Sequence, residues 1–148
     1  VVPFGASDNT ETDTGLDLPS RCVLTDQSVD FYVTTVDAGE TVDVGLLSSE
    51  ANGDANGFIA AASVATAGQV QLVPQITGGT NIDYGSTAYI GALLATIIAG
   101  ADAVATVGGF TSKRYRTDGV AKSITYTGSA GSDTAAGYIY LNFLRLPF

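Results

Sequence analysis

A chain of 148 residues, 45% hydrophobic and 14% charged, is long enough for one domain with its own core and too apolar for disorder. Its 15 acids against 6 bases leave a net charge of −9, which excludes general nucleic-acid binding and attraction to anionic membranes. The absence of histidine removes the usual general base and commonest metal ligand, while the lone Cys22 excludes an internal disulfide and a thiolate zinc site and points to a reducing compartment.

Residues 1–20 read as an acidic, extended N-terminal arm, distinct from a β domain over 21–148. The stretch "GASDNTETDTGLDLPS" holds Asp8, Glu11, Asp13 and Asp17 with no base and few apolar side chains. It is expected to fray or to lie across a partner, with Pro3-Phe4 as an apolar anchor. The opening residues lack the basic start and apolar core of a signal peptide.

In "SVDFYVTTV", Val29, Phe31, Val33 and Thr35 share one face and Asp30, Tyr32 and Thr34 the other, the period-two pattern of a strand. "DAGE" follows, and "TVDVGLL" alternates again with Val42, Val44 and Leu46 inward. The short loop containing Gly39 predicts a hairpin that pairs 29–36 with 41–46.

Residues 50–57 place Glu50, Asn52, Asp54 and Asn56 at every second position before Gly57. This matches the first half of a calcium loop, but the position where a bidentate Glu belongs is Ser63. Asn, Asp and Gly equally supply turn bonds, so a structural turn and no metal dependence are expected.

Further strands are predicted at "FIAAASVA", "QVQLVPQI" and "NIDYG", with Pro74 restricting its strand to an edge or bulge. The apolar run 88–101 is shorter than the roughly 20 residues that span a bilayer and reads as core. Within it, 88–99 is open between helix, favoured by its Ala and Leu, and strand, favoured by "TAYI" and "ATII", with a strand leading into a long loop preferred, and the glycine-rich 100–119 reads as irregular. "SKRYR" concentrates basic residues, and Lys113, Arg114, Tyr115 and Arg116 form a candidate contact for an acidic protein surface, Tyr115 as anchor.

"TGSAGSDTAAG" lacks the lysine of a phosphate-binding loop and reads as a hairpin turn between "VAKSITYT" and "AGYIYLNFLRL", pairing Ile124 near Ile139–Phe143. In the last strand Ile139, Leu141 and Phe143 are predicted to face the core. Tyr138, Tyr140, Leu144 and Leu146 then form an outward apolar row, a candidate subunit interface. The expected fold is all-β: a single-domain β-sandwich or barrel-like arrangement of antiparallel strands, with an extended N-terminal arm and long Gly-rich loops.

The order "VDVGLLSSEANGDANGFIAAASVATAG", "AYIGALLA", "SITYTGSAGSDTAAGYIYLNFLR" resembles small virion proteins of tailed bacteriophages that act as head decoration or capsid cement proteins. The resemblance spans about residues 29–146, leaves the arm uncovered, and rests on strand and turn patterns. It implies a structural protein on the outer capsid surface, assembled in the host cytoplasm. Its partners would be the major capsid protein and copies of itself, with no cofactor, nucleic acid or membrane. No catalytic, cofactor-binding or metal residue is expected. The alternatives are a tail-fibre or receptor-binding β module that reads a glycan, and a secreted adhesion or sugar-binding domain. A glycan binder is expected to present an exposed aromatic platform, and the chain has no tryptophan.

Overall fold

The alternating apolar residues of 29–35 and 41–46 are buried as expected: Phe31, Val33, Val44 and Leu46 are inaccessible to solvent, although Thr35, at the end of the same face, is exposed. The computed structural model describes residues 1–70, 72–74, 88–97, 110–117, 119–131 and 134–147. Among them the elements run β1 (Val2–Phe4), β2 (Glu11–Leu18), β3 (Cys22–Leu24), a 3-10 turn (Asp26–Ser28), β4 (Val29–Thr35), β5 (Thr41–Leu46), β6 (Ile59–Ser63) and β7 (Gly68–Val70). They continue with β8 (Leu72–Pro74), β9 (Ala88–Ile90), β10 (Ala95–Ile97), β11 (Phe110–Ser112), β12 (Tyr115–Arg116), β13 (Lys122–Gly128), β14 (Ala136–Leu141) and β15 (Leu144–Arg145). The described fold is all-β.

Two large sheets pack face to face as a sandwich. One has the order β1-β14-β4-β7 and is antiparallel throughout; the other has the order β2-β13-β5-β6-β9-β8 and is antiparallel except where β8 runs parallel to β9. A small sheet, β12-β3-β15, and the ribbon β10-β11 complete the fold. The core between the large sheets takes Phe4, Phe31, Val33 and Ile139 from one and Val42, Val44, Leu46, Ile59 and Ile124 from the other. Phe4 joins the layers: its ring stacks on Phe31 at 4.6 Å and meets Tyr126 edge-on at 6.2 Å.

Both expected hairpins are corrected. β4 and β5 do not pair: β4 lies between β14 and β7, whereas β5 lies between β13 and β6. Ile124 likewise pairs with Leu46 and not near Ile139, which pairs with Phe31 and Val2. Alternation fixes which face of a strand is buried but not its neighbour, and here successive apolar faces meet across the core. The corner after β4 turns at Gly39 (φ 86°) and is clamped by Val64, which accepts the Asp37 N–H (3.0 Å) and donates to the Glu40 carbonyl (3.1 Å). The second corner turns at Gly131 (φ 92°), and Ser129 donates its N–H to Thr41.

The N-terminal arm is extended, as expected, but it belongs to the sandwich. β1 adds to β14, pairing Val2 with Ile139 and Phe4 with Gly137; β2 adds to β13. Val2, Phe4 and Leu18 are buried, so the predicted Pro3-Phe4 anchor seats in the chain's own core. Pro74 sits in β8, the edge strand of its sheet, as its missing N–H requires. Residues 88–97 form two short strands around a turn, with Leu94 and Ala95 buried. Of 100–119, read as irregular, the described part contains β11 and β12. The strand expected at "NIDYG" lies outside the described residues.

Candidate functional site

The C-terminal segment is not one strand. β14 ends at Leu141, the Asn142 N–H donates to the Ser28 carbonyl at 2.7 Å, and the chain re-enters as β15 in the small sheet. This break divides the expected apolar row into two patches. Tyr138 and Tyr140 stay on the outer face of the sheet that holds β4, while Leu144 and Leu146 move to the small sheet. Phe143, expected in the core, is exposed at the break, whereas Ile139 is buried and Leu141 packs against the core.

The small sheet brings together two stretches that are far apart in the sequence. β3 is its centre: Val23 pairs with Arg116 on one side and Leu144 on the other. Cross-strand partners project to the same face, so Arg116, Val23 and Leu144 form one outward row. Arg114, Leu146, Thr25 and Ser28 complete an open groove of about 610 Å³. Leu144 is 68% exposed. Among the described residues neither Arg114 nor Arg116 pairs with a carboxylate. The groove therefore offers apolar and cationic surface side by side.

The opposite face of the small sheet anchors this row. Cys22 and Leu24 are fully buried, and the Thr117 hydroxyl accepts the Cys22 N–H at 2.9 Å while donating to the Pro19 carbonyl at 2.7 Å. Burial pushes the Cys22 thiol pKa up, against the Thr117 hydrogen bond, so the thiol is a protonated core group.

The four residues of the basic candidate are separated by this geometry. Arg114 and Arg116 line the groove. Lys113 reaches away to the turn before β10, where its Nζ donates to the Ala92 carbonyl at 3.0 Å. Tyr115 is not an exposed anchor: it is half-buried, with its ring edge-on to Phe58 at 5.7 Å. Strand alternation turns it inward between two outward arginines. Sequence reasoning missed Val23, and alternation in "CVL" was the available signal, too short to read by itself.

On the other patch, Tyr138 faces Tyr32 and Tyr140 faces Asp30 across the β14–β4 pair, and Gln69 of β7 faces Tyr32. Tyr32 and Tyr138 are each 42% exposed and Tyr140 38%. The rings of Tyr138 and Tyr140 lie 6.4 Å apart, and the Gln69 amide donates to the Asp30 carboxylate at 3.2 Å. Three tyrosines are thus exposed together on this face.

Residues 50–57 form a turn whose acids diverge. Asn52 takes a left-handed φ of 61°, the Gly53 N–H donates to Glu50, and the Gly57 N–H donates to Asp54. The Glu50 carboxylate pairs with Lys122 at 3.7 Å and accepts the Ser123 N–H, while Asp54 accepts the Asn56 N–H. The loop lies directly on β5: Leu46 donates to the Asp54 carbonyl at 2.8 Å, and a Cβ at Gly45 would overlap that carbonyl. Among the described residues no three metal-ligating side chains gather at one point.

Comparison with known proteins finds no matching family model, no matching curated protein and no matching solved structure.

Proposed function

We propose that this chain is a structural virion protein that decorates or cements the outer surface of a phage capsid, and that it works through protein–protein contacts without catalysis. The groove carries this reading: Leu144, Val23 and Leu146 present apolar surface beside Arg114 and Arg116 on an otherwise acidic chain. Its partners are the major capsid protein and neighbouring copies of the chain, on the face of the shell away from the packaged nucleic acid, which the net charge of −9 disfavours as a contact.

The apolar residues supply most of the affinity, since burying one leucine contributes about 1.5–3 kcal/mol. The arginines orient the contact against a carboxylate-bearing partner and add little net energy, about 0–1 kcal/mol per exposed pair. The test is co-sedimentation of the chain with shells assembled from the capsid protein of the same genome. Leu144→Asp should weaken binding by at least about tenfold, roughly 1.4 kcal/mol, with an unchanged circular dichroism spectrum and melting temperature. Wild-type chain left in the supernatant, or equal binding by folded Leu144→Asp, would remove this reading.

A further inference from the structure

The tyrosine face carries an inference that stands apart from the capsid contact and uses none of its residues. Asp30, Tyr32, Gln69, Tyr140 and Asn142 line a depression of about 270 Å³. A second depression of about 510 Å³ shares Asp30 and Gln69 with it and is otherwise lined by Asp26, Gln27, Val29, Val70 and Leu72. The first lies on the outer face of the β4–β7 pair, beside the aromatic rings; the second lies towards the 3-10 turn and reaches the apolar side of the same strands at Val29 and Val70, and Leu72 of β8. The first is slightly below the usual small-molecule range of about 300–1,000 Å³, a size for one sugar ring.

The lining chemistry selects the ligand. Tyrosine rings offer negative π faces, and the C–H bonds of a pyranose are weakly positive on one side of the ring. The Gln69 and Asn142 carboxamides and the tyrosine hydroxyls both donate and accept, as vicinal sugar hydroxyls do, while the Asp30 carboxylate accepts only. The Gln69–Asp30 hydrogen bond holds two of these groups in place before any ligand arrives. Among the described residues that line either depression none is basic, which disfavours nucleic acid, sulfated glycans and sialylated glycans. We infer that the cleft lined by Tyr32, Tyr140, Asp30, Gln69 and Asn142 binds a neutral oligosaccharide.

The experiment is a screen of the full chain on an array of neutral glucans, galactans, mannans and N-acetylhexosamine oligomers, with heparin and polylysine as comparison probes. Titration calorimetry follows with the oligosaccharide that retains most protein. Saturable binding to at least one neutral oligosaccharide is expected. Tyr140→Ala and Gln69→Ala should each weaken it by roughly tenfold or more, the equivalent of about 1.4 kcal/mol. Leu144→Asp should leave it unchanged, which separates this site from the groove. The inference is overturned if no neutral oligosaccharide binds, if binding survives both cleft variants in folded protein, or if polylysine alone is retained, which would make the face a contact for a basic protein segment.

Discussion

Asp43 stands on the outer side of β5, opposite an extra residue in β6. The register moves from Val42↔Ala62 to Val44↔Ile59, so β6 carries a bulge, and Ala61 within it takes a left-handed φ of 53°. The Asp43 carboxylate accepts the Ala61 N–H at 2.7 Å and so satisfies a donor that the ladder leaves unpaired. Burial raises the Asp43 pKa; the Ala61 N–H opposes that rise, and the charge on Asp54 adds to it. The folded state therefore holds this proton more tightly than the unfolded chain. Stability from the protonated carboxyl is fully present below the ordinary carboxylate pKa and is lost as pH rises through the raised value. Asn keeps the acceptor oxygen without the charge. Asp43→Asn is thus predicted to be more stable than wild type at pH 7 in urea unfolding, with the difference closing below about pH 4, the ordinary range for Asp. By contrast, Asp43→Ala leaves the Ala61 N–H without its partner and should cost about 1–3 kcal/mol at pH 7. An Asn variant less stable than wild type at pH 7 would show that the charge itself holds the bulge.

At the scale of elements, β1 shows how a short strand ties the fold together. It has three residues, yet Phe4 stacks on Phe31 from its own sheet and reaches Tyr126 from the facing one. Close approach is possible because β14 has Gly137 opposite, where a Cβ would strike both the Phe4 ring and the Tyr32 carbonyl. Phe4→Ala is expected to lose about 3–5 kcal/mol in denaturant unfolding, as for a large core aromatic. A loss well below that would mean the N-terminal segment is dispensable. This tie was only half legible: Pro3-Phe4 reads as an anchor, but no periodicity says what it anchors to. β2 was illegible for a different reason. It buries only Leu18 fully; Asp13, Leu16 and Asp17 are exposed at the edge of the sheet and Glu11, Thr12 and Thr14 are half-buried, so it carries no apolar alternation. Charged edge strands of this kind resist pairing with other chains. β4 and β5 were legible because their alternate apolar residues, Val29, Phe31 and Val33 and Val42, Val44 and Leu46, are all buried, and their partners were not, because any strand with a matching face satisfies the same pattern.

At the scale of the whole molecule, the all-β class and the outward tyrosines and leucines follow from the sequence pattern, whereas the shape of the surface does not. A single apolar row became two sites because the chain turns at Asn142 and exchanges one sheet for another, a step set by the Asn142–Ser28 hydrogen bond and the pairing of Leu144 with Val23. The same step placed Leu144 and Arg116 on either side of Val23, residues that no spacing rule connects. The two patches lie on different sheets, and on the proposed reading a chain seated through the groove keeps the tyrosine face towards solvent. An image reconstruction of the assembled particle tests the account most directly. It should place the sandwich on the outer surface of the shell, with the Arg114–Arg116–Leu144 groove against a neighbouring protein chain and Tyr32, Tyr138 and Tyr140 facing solvent. A particle that lacks this chain, or one in which the groove faces solvent while the tyrosine face is buried, would contradict it.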